Sequence, residues 1–570
     1  MLPDGKANET FKDKVMDTLQ VLCVNTGATI GINPGTSLEE IATRIGIKLK
    51  HRVLGGKVNG RFVGLSYRVY RPKQIEFFDG CHPEGRRMLA RTLVMMLGVA
   101  VDEVLEGVQV EVLHSVSKGI YCELIKDGQR VDPTTAEVVA ILDRMRELQA
   151  AGLPIERKEM PTDEALSLLT TTPETGRLLR QHGELYTVVH SLDGHKAVMF
   201  GDLTQRTSDV EAFDLTEFFS GMLLRLPEDG NPGKLAEATL QNKMFATFIQ
   251  FDKIKNLLRI RRLADLNDTI AAGLGRRVIQ LSEALHEKQI SDIADMIAER
   301  KDSVRVVLIS GPSSSGKTTF SKRLSIQLAL NGLLPVTLSI DNYFVDREKT
   351  PLDEDGKYDF EAVEAINVKL FNEQILALMR GEEVEIPKFD FVRGKSEFDG
   401  TKLRLAENSI LVIEGTHGLT PALTPMIPDA NKFRIYVAPL AGINFGQLTR
   451  IHTTDNRLIR RIVRDYYNRG HDADSTIAMW PSVRRGEDKF IYTNQEEADV
   501  MFNSCTLYEL AVLRAKAEPI LLEVRPNSPQ YGEAQRLLHF LSYFMPLGAE
   551  TIPPTSLLRE FVGGSSFEYD

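Results

Sequence analysis

Apolar runs alternate with amphipathic stretches in the C-terminal half of the chain. Four strand-like runs are separated by segments in which apolar residues recur at helical spacing; the runs are Val304–Ile309, Val336–Ile340, Ser409–Ile413 and Phe433–Val437. Alternating strands and helices are typical of a parallel sheet covered by helices on both faces. The sequence therefore predicts an α/β domain over residues 303–570.

The N-terminal half shows a different pattern, with shorter β-like runs. Residues 1–80 contain such runs at Leu19–Val24, Lys57–Val58 and Gln74–Phe78 around one helical segment, Ser37–Ile45, which predicts a small α+β module. Residues 81–225 combine a helix, Gly85–Val101, with further strands, which predicts a second α+β domain. Residues 226–302 are expected to form a mostly helical connector, so the chain is predicted to be a multidomain protein.

Composition narrows the class of protein. A chain of 570 residues is too long for one hydrophobic core. The net charge of −10 argues against a protein that coats nucleic acid. The four cysteines form no C-x-x-C pair, so neither a zinc knuckle nor a disulfide framework is indicated. The longest apolar run, Leu93–Val101, is too short to span a bilayer. A cytoplasmic protein without membrane contact is expected.

A glycine-rich loop follows the first strand of the C-terminal domain. Residues 311–319, Gly-Pro-Ser-Ser-Ser-Gly-Lys-Thr-Thr, match G-x-x-x-x-G-K-[ST] in full. In such a loop the N–H groups cradle phosphates, the lysine reaches the terminal phosphates and the next hydroxyl serves Mg²⁺. The order of strand, loop and helix disfavours the alternative of a chance Gly/Ser turn. The expected nucleotide-binding residues are Gly311, Ser313, Ser314, Ser315, Gly316, Lys317, Thr318 and Thr319.

Two acidic residues follow later strands of the same predicted sheet. Asp341 comes after the second strand and Glu414 ends the third. Because ligands of open α/β sheets bind at the carboxyl ends of the strands, both are expected near the loop. Asp341 is a candidate base or magnesium residue, and Thr318 and Glu414 are expected to serve Mg²⁺. A turn aspartate and a strand-end glutamate that caps a loop are the structural alternatives.

A cationic run follows the fourth strand. Arg457, Arg460, Arg461 and Arg464 share one face of a helix by their spacing, and Arg469 follows. Arginines on a mobile lid neutralise the charge that spreads over a phosphoryl group in transfer. A solvated charged face is the alternative.

These elements together resemble the uridine kinase and phosphoribulokinase family. The matching motifs are Gly311–Thr319, Asp341–Tyr343, Tyr358–Phe360, Ile386–Phe391, Val412–Gly415, Arg460–Gly470 and Ala498–Asp499. The resemblance implies a P-loop kinase that uses ATP and Mg²⁺ to phosphorylate a hydroxyl. It implies Asp341 as base, Lys317, Arg464 and Arg469 at the phosphates, and an acceptor site formed by Tyr343, Asp359, Glu361, Phe389, Arg393 and Arg461.

The positions at which relatives read a pyrimidine are changed in this chain. A tyrosine and a histidine of the family pattern are replaced by Phe389 and Gly394, and two later positions are His471 and Met479. These changes predict a pocket that is more apolar and roomier than a uridine site. Uridine and cytidine are therefore expected to be poor acceptors, and another nucleoside or a ribose-like molecule is expected to be better.

The N-terminal half carries two further resemblances. Residues 20–80 resemble a TGS domain, a β-grasp module, through Gly35–Ile41 and Lys57–Gly60. Residues 81–225 resemble the second additional domain of threonyl-tRNA synthetase, through His114–Tyr121 and Phe200–Leu203. The metal-binding positions of that domain are lost; Thr204 and Ser208 stand at two of them. The resemblance implies a retained fold without zinc and without editing chemistry.

A second function remains open from the sequence. The TGS-like half and a basic cluster over residues 253–277 are also typical of an RNA- or ribosome-associated regulatory NTPase. The base-reading N-K-x-D motif of a switch GTPase is missing, which favours the kinase. A small-molecule acceptor is the expected partner, and the chain is expected to form an oligomer. RNA contact through the TGS-like half is the further possibility.

Overall fold

The structure is a computed structural model that describes residues 18–169, 173–352, 356, 358–390 and 393–569. The chain forms two compact units. The first comprises Met1–Val110, Glu123–Leu168 and Tyr186–Glu237, and the second comprises Glu111–Cys122, Leu169–Leu185 and Ala238–Asp570. No helix among the described residues is both long and apolar enough to span a membrane.

Residues 19–79 form a five-stranded mixed sheet with one helix. Its elements are β1 (Leu19–Cys23), β2 (Thr29–Ile32), β3 (Thr36–Ser37), α1 (Leu38–Ile45), β4 (Val53–Val58), β5 (Arg61–Gly64), β6 (Arg68–Val69) and β7 (Lys73–Asp79). The sheet order is β2-β1-β7-β4-β5. Helix α1 begins where the Ser37 hydroxyl accepts from the Glu40 N–H and ends at Gly46, whose φ of 69° is left-handed. The predicted short α+β module is confirmed in its elements.

The elements from residue 83 to residue 235 combine helices with two larger sheets and a two-stranded ladder of β16 and β17. They are α2 (Pro83–Val104), β8 (Val108–Val116), β9 (Gly119–Lys126), β10 (Gln129–Val131), α3 (Thr135–Ala151), β11 (Glu156–Pro161), α4 (Thr162–Leu168), α5 (Pro173–His182), β12 (Tyr186–Leu192), β13 (His195–Ala197), β14 (Asp214–Phe218), β15 (Gly221–Arg225), β16 (Pro227–Glu228) and β17 (Asn231–Leu235). One sheet has the order β10-β9-β15-β14, with β8 on β9, and the other has the order β11-β12-β13.

Three helices precede the α/β domain. They are α6 (Asn242–Leu258), α7 (Leu263–Ala271) and α8 (Gly275–Ala298). The basic cluster expected here is smaller than the sequence indicates, since two of its members form ion pairs with carboxylates. Lys255 is 5% exposed and pairs with Asp252, and Arg262 pairs with Glu111 and Glu174.

The α/β domain is built on a five-stranded parallel sheet. Its elements are β18 (Val306–Ser310), α9 (Lys317–Leu330), β19 (Leu334–Ser339), α10 (Val368–Met379), β20 (Val384–Asp390), β21 (Lys395–Leu403), β22 (Ser409–Glu414), β23 (Lys432–Ala438), α11 (Thr453–Asn468), α12 (Ala473–Phe490), β24 (Val500–Asn503), α13 (Glu509–Leu522), α14 (Tyr531–Ser542) and α15 (Arg559–Val562). The strand order is β19-β22-β18-β23-β24, and every pair in it is parallel. The predicted parallel sheet is confirmed.

Two hydrophobic cores cover the two faces of this sheet. One contains Phe371, Ile375 and Leu378 of α10 with Leu308, Leu411 and Ile413. The other contains Phe320, Leu324 and Leu328 of α9 with Ile309, Val412 and Ile435. Helix α8 contributes Ile290, Ile293, Ala294 and Ile297 to this second core. A helix that the sequence assigns to the connector therefore packs as part of the α/β domain.

Candidate functional site

The phosphate loop lies between the central strand β18 and helix α9. Gly311 is required because a Cβ there would meet the Val437 carbonyl oxygen at 2.0 Å. Gly316 has a φ of 86°, a left-handed conformation that glycine adopts without strain. Ser314 also has a positive φ, of 59°. The two glycines of the motif are therefore required for different reasons. Gly311 allows a close backbone contact, and Gly316 allows a left-handed turn.

The polar groups of the loop suit a polyphosphate. The Lys317 ammonium donates to the carbonyls of Gly311 and Pro312, at 3.0 and 3.3 Å. The hydroxyls of Ser314 and Ser315 are buried and have no hydrogen-bond partner in the described chain. The loop opens helix α9, whose N-terminal dipole favours an anion. Buried donors without partners at a helix N-terminus are what a phosphate group would satisfy.

Two carboxylates lie beside the lysine. Asp341 belongs to the 3-10 turn Ile340–Tyr343 that follows β19, and Glu414 ends β22, the neighbouring strand. Burial raises the pKa of Asp341, against the opposing effects of Lys317 and Arg469. Burial also raises the pKa of Glu414 to about 7, and Lys317 again opposes the shift. Lys317 and the two carboxyl groups that the sequence singles out therefore lie close enough for the lysine to affect both pKa values.

A divalent cation fits this corner of the site. The Thr318 hydroxyl donates to the Glu414 carboxylate at 3.5 Å, and Asp341 raises the pKa of that carboxyl further. Carboxylate and hydroxyl oxygens are ligands that Mg²⁺ accepts, usually with waters and substrate phosphates completing the shell. A cation bound near these two buried carboxyl groups would stabilise their ionised forms.

Glu361 is the third carboxylate of the cluster. Burial raises its pKa to about 7, Glu487 raises it further, and Arg461 and Lys317 lower it. Its side chain passes Gly486, where an added Cβ would meet the Glu361 Cβ at 2.5 Å. Helix α12 can therefore approach Glu361 only because residue 486 has no side chain.

One aspartate, Asp465, forms ion pairs with three arginines. Asp465 binds Arg464 at 2.7 Å, Arg461 at 3.2 Å and Arg469 at 3.9 Å. Arg461 also donates to the Ser313 hydroxyl of the loop at 2.8 Å. Three of the five arginines that the sequence singles out thus lie together around Asp465, and Arg461 connects them to the phosphate loop.

Arg457 and Arg460, the other two arginines of the run, are each 1% exposed and pair with Glu487 and Glu509. The alternative of a solvated charged face is therefore wrong for these two arginines, because α11 is enclosed by α12, α13 and the loop. Arg460 also donates to the Ser314 and Ser315 carbonyls of the loop, at 3.4 and 3.5 Å.

A buried ion pair holds Ser313 by both of its backbone groups. The Ser313 N–H donates to Glu487 at 3.0 Å, and Arg457 donates to the Ser313 carbonyl through two nitrogens at 3.2 Å. Tyr492 completes the network by accepting from Arg457 at 2.7 Å. Because Arg457 lies on α11 and Glu487 on α12, this network, which we call the Ser313 clamp, joins both helices to the loop. The sequence did not predict Glu487.

The remaining residues of the predicted acceptor site divide into two groups. Phe389 packs on Phe344 with ring centroids 5.4 Å apart, and the Asp359 carboxylate accepts from the Glu361 N–H at 3.1 Å. Tyr343, in contrast, is 1% exposed and its hydroxyl donates to Gln374, so its assignment to substrate contact is corrected to a core role. Arg393 points to solvent and pairs with Glu397 at 2.8 Å.

The space beside Gly394 is filled. A Cβ on Gly394 would meet the Arg347 guanidinium at 2.7 to 2.8 Å. The Arg347 N–H donates to the Gly394 carbonyl at 2.9 Å. The expectation of a roomier and more apolar pocket is therefore wrong at this position, because Arg347, from an earlier segment of the chain, takes the space that a side chain would occupy.

In the first unit, Thr204, one of the positions that the sequence compares with metal ligands, is engaged in hydrogen bonds. The Thr204 hydroxyl lies 3.1 Å from that of Thr92 and donates to the Arg206 carbonyl at 3.0 Å. Arg91 donates to the Asp202 carbonyl at 2.9 Å. Among the described residues, no group of three or more His, Cys, Asp or Glu side chains is arranged to hold a metal ion.

A parallel sheet with a phosphate loop, a lysine and two strand-end carboxylates defines the class of P-loop phosphotransferase-like domains. Comparison with known proteins agrees for this part of the chain. The family "Phosphoribulokinase / Uridine kinase family" matches residues 306–511. This region is therefore similar to a family of kinases, and the remainder of the chain lies outside the match.

Individual relatives are distant. A uridine kinase of Halobacterium salinarum is 25% identical over 194 residues, which are 34% of this chain and 77% of the relative. A uridine kinase of Saccharomyces cerevisiae is 28% identical over 232 residues, and the chain spans only 41% of its length. A threonine–tRNA ligase of Rubrobacter xylanophilus is 27% identical over 147 residues, which are 26% of this chain and 22% of the ligase.

Solved structures with a similar region are also kinases by their titles. A putative fructose transport system kinase from a Silicibacter species is 19% identical, with a TM-score of 0.26, and covers 37% of this chain and 98% of its own. A possible uridine kinase from Bacillus stearothermophilus is 18% identical, with a TM-score of 0.25, and covers 38% of this chain and 100% of its own.

Proposed function

We propose that the protein is an ATP-dependent phosphotransferase that phosphorylates a hydroxyl of a nucleoside or a ribose-like small molecule. The observation that carries this proposal is the meeting of Lys317, Asp341 and Glu414 at the phosphate loop, since Lys317 lowers the pKa of both carboxyl groups and Asp341 raises that of Glu414. A phosphate-binding loop alone would support any nucleotide-binding function. A buried aspartate beside the loop lysine adds a group that can accept a proton from an attacking hydroxyl.

The proposed roles follow from position and charge. Lys317 holds the terminal phosphates and Asp341 accepts the proton of the acceptor hydroxyl. Arg461, Arg464 and Arg469, gathered by Asp465, neutralise charge on the transferring group. Thr318 and Glu414 would hold Mg²⁺, which supplies further charge neutralisation between phosphate oxygens.

The acceptor is proposed to be bound between Glu361 and the aromatic pair Phe344–Phe389. The Glu361 carboxylate suits a sugar diol, because a carboxylate accepts hydrogen bonds from two hydroxyls. Phe389 cannot hydrogen-bond a base edge, and polar edges of uracil left unpaired there would cost roughly 1–3 kcal/mol each. Uridine and cytidine are therefore proposed to be poor acceptors.

A substrate panel tests this proposal. The full chain is incubated with ATP, Mg²⁺ and each of a set of nucleosides, pentoses and pentose derivatives, and phosphorylated products are identified by mass spectrometry. At least one ribose-like acceptor is expected to be phosphorylated with a higher kcat/KM than uridine or cytidine. Asp341→Asn is the control; it is expected to lose about 10²-fold or more in kcat while retaining ATP affinity.

Two results would contradict the proposal in different ways. If no acceptor in the panel is phosphorylated and the protein hydrolyses ATP without one, the hydroxyl-transfer reaction is wrong. If uridine has the highest kcat/KM of the panel, the reaction stands but the reading of Phe389 is wrong.

A further inference from the structure

The C-terminal segment Ser556–Tyr569 reaches the phosphate loop from outside the region that matches the kinase family. Leu557 is 1% exposed in the core around α9, and its side chain lies 3.1 Å from the Cβ position of Gly316. Phe561 lies beneath the Arg460 guanidinium, 5.0 Å from the ring centroid. The segment is therefore anchored on the loop rather than loosely attached.

Two side chains of this segment share one hydroxyl of the loop. The Thr319 hydroxyl donates to the Glu560 carboxylate at 2.7 Å and lies 2.9 Å from the Tyr569 hydroxyl. Thr319 is 0% exposed, whereas the Tyr569 side chain is 38% exposed. The loop thus ends at a buried hydroxyl that is flanked by a carboxylate and a partly open aromatic ring.

Glu560 and Tyr569 contact Thr319 at one end of the loop motif, whereas Arg461 of the arginine cluster contacts Ser313 near its other end. Glu560 also raises the pKa of Glu414. A nucleoside triphosphate that lies along the loop with its terminal phosphate toward Asp341 and the arginines would extend its nucleoside toward Thr319, Glu560 and Tyr569.

We propose that the segment Ser556–Tyr569 forms the nucleoside side of the nucleotide site, with Tyr569 packing on the base and Glu560 accepting from the ribose hydroxyls. On binding, the Thr319 hydroxyl turns from Glu560 to a phosphate oxygen, and Glu560 gains the ribose hydroxyls as donors in exchange. This inference rests on the proposed function, because it takes the loop to bind a nucleoside triphosphate.

Binding of two ligands to the full chain separates the nucleoside from the phosphates. The dissociation constants of ATP and of inorganic tripolyphosphate, each with Mg²⁺, are measured by calorimetry. Tyr569→Ala is expected to weaken ATP about tenfold, since stacking of a base on an aromatic ring is of that size, and to leave tripolyphosphate unchanged. Tyr569→Phe keeps the ring and is expected to bind ATP as the unmodified protein does.

Glu560→Gln gives the second arm of the test. It is expected to weaken ATP several-fold without weakening tripolyphosphate, because the amide retains only one acceptor oxygen for the ribose hydroxyls. Glu568→Gln is the matched control: it makes the same charge change at an exposed residue of the segment and is expected to change neither constant. Melting temperatures of all variants are compared, so that loss of folding is recognised.

Three outcomes would overturn the inference. Equal weakening of both ligands means that the segment only supports the loop. Tighter binding of both ligands by Glu560→Gln means that the segment masks the loop. No change in any variant means that the nucleoside binds elsewhere. If the unmodified chain binds neither ATP nor tripolyphosphate, the proposed function itself fails, and that result is distinct from the other three.

Discussion

Lys317 is the residue on which the proposed transfer depends most directly. Its ammonium is held by two loop carbonyls, so it is kept close to where terminal phosphates would bind. We expect Lys317→Ala to lower turnover by about 10²-fold or more, because charge stabilisation at the transferring group is lost. Steady-state kinetics on the best acceptor checks this, with circular dichroism as the control for folding. A variant that retains more than about a tenth of the turnover would refute the assignment.

Glu361 makes a prediction about stability and pH. Burial holds its pKa at about 7, above the 4.5 of an exposed glutamate, so the folded protein binds a proton that the unfolded chain releases between these values. Its contribution to stability is therefore present below about pH 4.5 and is lost as pH rises toward 7. We expect Glu361→Gln to melt a few degrees higher than the unmodified protein at pH 8, and to lose this advantage near pH 5.

Thermal unfolding at a series of pH values measures the effect of Glu361→Gln. Glu364→Gln is the matched control, because Glu364 is exposed on the same short segment. A pH-independent difference between Glu361→Gln and the unmodified protein would show that Glu361 is not protonated in the folded state. A higher melting temperature together with lower activity would be the usual exchange between stability and function at a binding site.

At the residue scale, local motifs identified the groups that the chain brings to one sheet edge. Lys317, Asp341 and Glu414 each follow a strand, and parallel strands end at one edge, so their meeting could be predicted. Glu487 and Glu560 could not, since they reach the loop from 174 and 241 residues away in sequence. Tyr343 was misplaced because a motif states which residue recurs, and not whether its side chain turns into the core.

At the scale of elements, the Ser313 clamp couples helices α11 and α12 to the phosphate loop. Glu487→Gln leaves the Arg457 charge without its buried counterion. We expect this change to lower the free energy of unfolding by about 3 kcal/mol, the size seen when one member of a buried pair is removed. We also expect a higher KM for ATP, because the Ser313 N–H is held less firmly.

Asp488→Asn is the control for the clamp. Asp488 pairs with Arg484 at 3.2 Å on the same helix, but its side chain is 52% exposed. Surface pairs contribute little, so the change is expected to stay within about 0.5 kcal/mol. Denaturant unfolding of both variants compares them directly. Equal effects of the two substitutions would mean that the buried pair contributes no more than a surface pair.

The order of strands and helices in the α/β domain could be predicted from the sequence, because each strand is a short continuous apolar run. The environment of helix α11 could not. The spacing of its arginines does not show that Arg457 and Arg460 form buried ion pairs with Glu487 and Glu509. It also does not show that the other three arginines pair with Asp465. Enclosure by α12 and α13 decides which arginines are buried, and that depends on packing far along the chain.

At the scale of the whole molecule, helix α8 belongs to the core of the α/β domain. A fragment 303–570 would expose the apolar side chains that pack on Ile290, Ile293 and Ile297. We expect it to be less stable than a fragment 260–570 by roughly 5 kcal/mol or more, given that each buried isoleucine contributes about 1.5–3 kcal/mol. Urea unfolding of both fragments measures the difference. Equal midpoints would show that the domain begins at residue 303, as the sequence predicts.

The strand order of the parallel sheet also governs how the domain is made. Central strand β18 pairs with β22 and β23, which follow about a hundred residues later along the chain. At the usual rate of synthesis the ribosome needs roughly five to twenty seconds to deliver them. During that interval the phosphate loop is attached to a buried, largely apolar strand that has neither neighbour. The nascent chain is thus most exposed to aggregation, and most in need of a chaperone, while the part that later binds the nucleotide waits for its sheet.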